Sequence, residues 1–227
     1  MSDEKLRELE RRFRETGSAE DEVAWLRERA RSGEDLVEEA YSLLEEQVPE
    51  DFRCILQHLT QPVSSWREVL WWSSALLPEN ERIEQGLQLE AMKRSCLALA
   101  RAAATELENR GSDFAPGAHE AVATFKACAM GKEQTAAQLE ADCESLRKAA
   151  AALGPIASFT RRKDLACLDT ITTAARSASA PAPPDSITYT AVYCARRFLR
   201  PNDLRNLLLR ALKEAALVHC FNLLPLK

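Results

Sequence analysis

Two sets of side chains in this sequence have the types and the spacing to do recognition chemistry. Ile187 to Arg200 reads as one amphipathic helix in which Ile187, Ala191, Cys194 and Phe198 recur at i, i+4, i+7 and i+11. Tyr189, Tyr193, Arg196 and Arg200 recur at the same spacing on the other side, with Arg197 beside them. The apolar stripe suffices to dock the helix, so the Tyr/Arg face is spare. Tyr and Arg are enriched at binding hot spots, and both also stack on bases or hold phosphates. The competing reading is a solvated face whose rings cover neighbouring loops. The second set is Trp66, Trp71 and Trp72 on one expected helix, Ser64 to Leu77. Trp66, Val69, Leu70, Leu76 and Leu77 share a stripe, whereas Trp71 lies about 140° from Trp66. Trp71 therefore either fills a second interface inside the fold or anchors a partner.

The chemistry of enzymes and metal proteins lacks its usual residues. No two glycines lie close enough to build a phosphate loop, and neither Cys-x-x-Cys nor His-Glu-x-x-His occurs. Cys54 and His58 share a helix face at i, i+4, but two ligands are half a site. His219 and Cys220 are adjacent and point apart on a helix. Three His and seven Cys permit nucleophile–base pairs, yet local sequence specifies none. The expectation is no catalytic residue, no metal and no cofactor; an enzyme built on dispersed residues ranks last among the alternatives.

The elements that must position these faces are helical. Of the 227 residues, 46% are apolar and 29% charged, a globular balance in a chain long enough to bury a core. Ala, Leu, Glu and Arg dominate, and these favour helix. No alternating run of β-branched residues reads as a strand. The expected helices begin with Asp3–Arg14, stopped at Gly17, and a second capped by Ser18 that ends near Gly33. Two more follow, Glu34–Gln47 and Glu50–Leu59, and then the Trp-rich helix. The longest is expected from Pro78 to Arg110, with small apolar residues on nearly every side, and is placed centrally. Others start at Pro116 and Thr135, and the last follows Pro201 with Asn202 as its cap. The fold class is all-α, an irregular bundle of about eleven helices around an Ala-rich long one. Residues 1–47 read as an acidic N-terminal helical module and 48–227 as the main bundle, with a Pro-rich linker at 177–186.

The net charge of −5 hides a polarity: residues 1–50 carry 16 acids and 8 bases, whereas residues 155–227 carry 11 bases and 5 acids. The two ends are expected to attract each other within the fold, the alternative being steering of a charged partner. Arg161, Arg162 and Lys163 form a basic patch in the C-terminal third. The seven cysteines are an odd, dispersed set set mostly in helical stretches, which suits a reducing compartment. With no apolar leader in Met-Ser-Asp-Glu-Lys and no long apolar span, a cytoplasmic protein without membrane attachment is expected.

The run from Leu9 to Arg29, Leu-Glu-Arg-Arg-Phe-Arg-Glu-Thr-Gly-Ser-Ala-Glu-Asp-Glu-Val-Ala-Trp-Leu-Arg-Glu-Arg, resembles a leader of bacterial helical proteins. His119 to Gly131 and Thr135 to Ala151 resemble helices of the immunity-protein family of bacterial polymorphic toxin systems. That resemblance covers about a third of the chain. It implies an all-α fold and an inhibitory or regulatory binding role, and it supplies no catalytic residue. The leading expectation is a non-enzymatic helical protein that holds a protein partner. The alternative is a nucleic-acid accessory factor using the basic C-terminal third, against which the sequence pI near 5.4 weighs.

Overall fold

The structure, a computed structural model, describes residues 3–63, 65–66, 68–69, 83–129, 136–152, 159–179 and 187–223. Among these it holds ten α-helices, one 3-10 turn and no strand, so the fold is an all-α bundle. The expected Trp-rich helix, Trp71 included, lies mostly outside the described residues.

Local sequence explains several of the helix ends. Helix α1 (Asp3–Thr16) stops because Gly17 takes φ +61°, its N–H donating to the Phe13 carbonyl at 2.8 Å. Ser18 then caps α2 (Ala19–Arg31), its hydroxyl accepting from the Asp21 N–H at 3.2 Å. Helix α3 (Val37–Leu44) is shorter than expected and tightens into the 3-10 turn Glu45–Gln47, while Pro49 opens α4 (Glu50–Thr60). Helix α5 (Gln85–Asn109) does not run from Pro78: Glu84 is extended (φ −53°, ψ 131°) and Ile83 is drawn into the core. It ends in a Schellman motif, with Gly111 at φ +62° and Ser112 donating back to the Leu107 carbonyl at 2.9 Å.

Helices α6 (Ala115–Ala129), α7 (Ala136–Ala152), α8 (Phe159–Ser179) and α9 (Ile187–Ala195) follow. Helix α10 (Pro201–Phe221) starts with Pro201 in its first turn and Arg200, not Asn202, at the cap position. The Asn202 side chain instead accepts from the Val63 N–H at 3.3 Å.

Packing is organised by α5, which lies against α6, α8, α9 and α10. Two apolar clusters result. One joins the C-terminal two thirds of α5 to α6, α7, α8, α9 and the start of α10, around the fully buried Phe125. The other joins α2, α3, α4, the start of α5 and the second half of α10, around Phe52. Burying each such ring contributes about 3 kcal/mol. Alanines 100, 103, 104, 166, 174, 191 and 195 are all at 0% exposure and let the axes of α5, α8 and α9 approach closely. The chain ends meet as their charges suggest: Arg210 pairs with Asp35 at 2.6 Å, Lys213 pairs with Glu38, and Arg27 donates to the Phe221 carbonyl at 2.7 Å. Among the described residues no helix is long and apolar enough to cross a membrane.

Candidate functional site

Helix α9 is short, and packing settles its orientation. Thr188, Ala191, Val192 and Ala195 are buried at 1% exposure or less, an i, i+3, i+4, i+7 face laid on α5 and α8. This replaces the expected docking stripe, since Cys194 and Phe198 are only half-buried. The helix also stops at Ala195 rather than running to Arg200. Residues 196–199 turn, with the Leu199 N–H donating to the Ala195 carbonyl at 2.9 Å. Pro201 disfavours a helical conformation at the residue before it, and Arg200 is accordingly extended (φ −80°, ψ 156°). Arg200 is therefore exposed at the start of α10 instead of continuing the α9 face.

Three members of the Tyr/Arg set, Tyr189, Tyr193 and Arg196, come together nonetheless. Tyr189 is 40% exposed and stacks on Tyr193 with ring centroids 6.4 Å apart and planes 20° from parallel. The Arg196 guanidinium carbon sits 3.7 Å from the centroid of the Tyr193 ring. Arg197 is exposed and within electrostatic reach of Asp169 on α8. Burial raises the Asp169 pKa, and Arg197 opposes that rise. Burial likewise pushes the Cys194 thiol up, reinforced by Asp169 and opposed by Arg197 and Arg196. Among the described residues no carboxylate forms an ion pair with Arg196, Arg197 or Arg200, in contrast to Arg29, Arg94, Arg110 and Arg210.

The other candidates are placed separately. Arg162 is exposed on α8 and Lys163 half-buried, while the Arg161 side chain, like Trp71, lies outside the described set. Trp66 is half-buried against the first cluster. The histidines bond a carbonyl or carboxylates: His58 to the Cys54 carbonyl at 2.7 Å, His119 to Glu108 at 3.1 Å and His219 to Glu84 at 3.2 Å. Among the described residues no three His, Cys, Asp or Glu side chains are grouped to hold a metal. Cys96 and Cys143 are buried, their thiols pushed up to about 11, and Cys167 to about 12, in each case first by burial.

Two arrangements escaped sequence reasoning. Arg94, its side chain 3% exposed, bridges Glu90 at 2.6 Å and Glu214 at 3.3 Å. It lies in a groove of about 240 Å³ between α5 and α10 that Arg101 and Arg210 also line. Only the Glu90–Arg94 spacing hinted at this. The other is Trp25, stacked on Phe13 at 5.7 Å and covered by Arg29 at 4.7 Å, which ties α1 to α2.

The stacked Tyr–Tyr–Arg face is thus the arrangement here best suited to recognition. Compared with known proteins, the chain matches no family model, no curated protein and no solved structure.

Proposed function

We propose that this protein is a non-enzymatic helical binding protein that holds a protein partner through Tyr189, Tyr193, Arg196, Arg197 and Arg200. The observation that carries the reading is the Tyr189–Tyr193–Arg196 stack, partly exposed on the flank of a helix whose Thr188, Ala191, Val192 and Ala195 are buried. Stacking pre-orders two rings and a guanidinium, so less side-chain entropy is lost when a partner docks. The inhibitory or regulatory role implied by the resemblance to immunity proteins belongs to the same proposal, as does a cytoplasmic setting suited to seven unpaired thiols.

The test is chemical cross-linking in the native cell, with the captured partner identified by mass spectrometry and its affinity then measured. Tyr193→Ala/Arg196→Ala should keep its helicity, because the half-buried cation–π contact it loses contributes only about 1 kcal/mol. The same variant should lose about 2 kcal/mol or more of partner binding. Unchanged affinity in a folded double variant would show that this face is not the docking surface.

A further inference from the structure

The charge of the C-terminal third is not evenly available. On α10, Arg210 and Lys213 are occupied by Asp35 and Glu38 from the acidic N-terminal region. In the turn that follows α9, Arg197 and Arg200 are exposed and Arg196 is half-buried, and among the described residues none of the three has a carboxylate in ion-pair contact. Arg162 extends this group. Asp169 on α8 lies in the field of Arg197, and Arg162 stands seven residues before Asp169 on the same helix. Seven residues are two helical turns, which return to the same face about 10 Å along the axis. Arg162 and Arg197 therefore stand along the same face of α8, with Arg196 and Arg200 flanking Arg197 in the chain.

The aromatic residues decide what kind of anion this group suits. Tyr193 lies between Tyr189, four residues before it, and the guanidinium of Arg196, three residues after it. The Arg196 guanidinium covers one face of the Tyr193 ring and Tyr189 stacks on it with an offset, so Tyr193 offers a base less open area than a free ring would. A guanidinium lying flat on a ring keeps its N–H edge directed outward, and that edge matches the two oxygens of a carboxylate. The chain as a whole carries −5, which repels a long polyanion. A short acidic segment answers chiefly to the local charge, in which Arg162, Arg196, Arg197 and Arg200 outnumber the carboxylates of Asp169 and Asp203.

Resting on the docking face proposed above, we infer that its occupant is an acidic segment of a protein partner, whose carboxylates are held by Arg196, Arg197 and Arg200 with a further one reaching Arg162. Nucleic acid and a second copy of this chain are the rival occupants, and each has its own readout.

The experiment uses the full chain and three labelled probes followed by fluorescence anisotropy: a synthetic Glu-Leu-Asp-Gly repeat peptide, its Gln/Asn counterpart, and an oligothymidylate of equal length. The acidic peptide should bind, and should weaken as salt shortens the Debye length to below about 10 Å. The Gln/Asn peptide should bind at least tenfold more weakly. Arg196→Lys keeps the charge and the fold but loses the fork and the stack, and should weaken the acidic peptide severalfold. Arg162→Gln should weaken it to a smaller extent. Sedimentation should find no self-association that the Arg196→Lys change abolishes.

Oligothymidylate binding as tight as the acidic peptide would overturn the inference, as would acidic-peptide binding insensitive to both substitutions. A dimer lost on Arg196→Lys would assign the face to a second copy. If the acidic peptide fails to bind while Tyr193→Ala/Arg196→Ala still releases the cellular partner, the acidic occupant is refuted and the docking face stands. If the double variant keeps its partner, the face itself is refuted.

Discussion

Arg94→Met tests whether the buried arginine bridging α5 and α10 holds the two apolar clusters in register. The guanidinium is 3% exposed and its partners Glu90 and Glu214 are 25% and 28% exposed. Removing one member of a fully buried ion pair costs about 3–5 kcal/mol, because the survivor is left desolvated and unpaired. Two features lower that figure here. Glu214 keeps Arg210 at 3.4 Å and remains in the field of the half-buried Arg101. Glu90 loses its partner but reaches solvent over a quarter of its side chain. Methionine fills the space of the arginine stem, so little cavity cost is added. The expected loss is about 2 kcal/mol, which in a chain of this length lowers Tm by about 4 °C. Calorimetry and urea titration would measure it. Glu90→Gln should cost about 1 kcal/mol alone but recover about 1 kcal/mol in the Arg94→Met background, where it removes the orphaned charge. An Arg94→Met protein as stable as the parent, or no recovery from Glu90→Gln, would refute this account of the bridge.

Glycine substitutions and alkaline titration test two further parts of the reasoning. Gly17→Ala and Gly111→Ala meet no neighbour within 4 Å but must hold φ +61° and +62°, so each should cost about 1 kcal/mol in urea unfolding, with Asn costing less. Gly86→Ala would place its Cβ 2.7 Å from the His219 ring, yet that ring can swing away from the exposed Glu84, and better helix propensity offsets the lost contact. It should fall within about 0.5 kcal/mol of the parent, and a larger loss than at Gly17 would contradict this ordering. The thiols of Cys96, Cys143 and Cys167 are raised to about 11, 11 and 12 in the folded chain from an ordinary 9.0. Above pH 9 the unfolded chain releases these protons while the folded one retains them, so stability is whole below pH 9 and is lost as pH rises towards 11 to 12. Cys96→Ala/Cys167→Ala should flatten the alkaline fall in Tm; an unchanged slope would show that these thiols do not contribute to it.

The sequence by itself determined the helical class and many helix ends, since these follow from interactions a few residues long. Gly17 and Gly111 terminate helices because their backbones enter a region that Cβ atoms disfavour. Ser18 supplies a cap hydroxyl to an N–H only three residues away, and Pro201 starts a helix at a position where no N–H is needed. The opposed charge of the two chain ends was also legible, although the pairs Asp35–Arg210 and Glu38–Lys213, each 175 residues apart, were not.

Tertiary packing decided the rest. The apolar stripe read from Ile187 to Phe198 assumed one uninterrupted helix, but the turn before Pro201 ends α9 at Ala195, and contact with α5 and α8 buries Thr188 and Val192. Periodicity finds an amphipathic face only when an apolar residue marks it. A buried threonine, which can bond within the helix or to a neighbour such as Cys96 at 3.9 Å, leaves no such mark. The start of α5 is set by Ile83 turning into the core, a contact invisible in the run from Pro78. The Arg94 bridge needs Glu214, 120 residues away, to be brought beside it by antiparallel packing. Tyr189, Tyr193 and Arg196 stack because their spacing is local, and that was readable. That Tyr189 remains exposed while Tyr193 and Arg196 are half-buried was decided only when α9 settled onto the bundle.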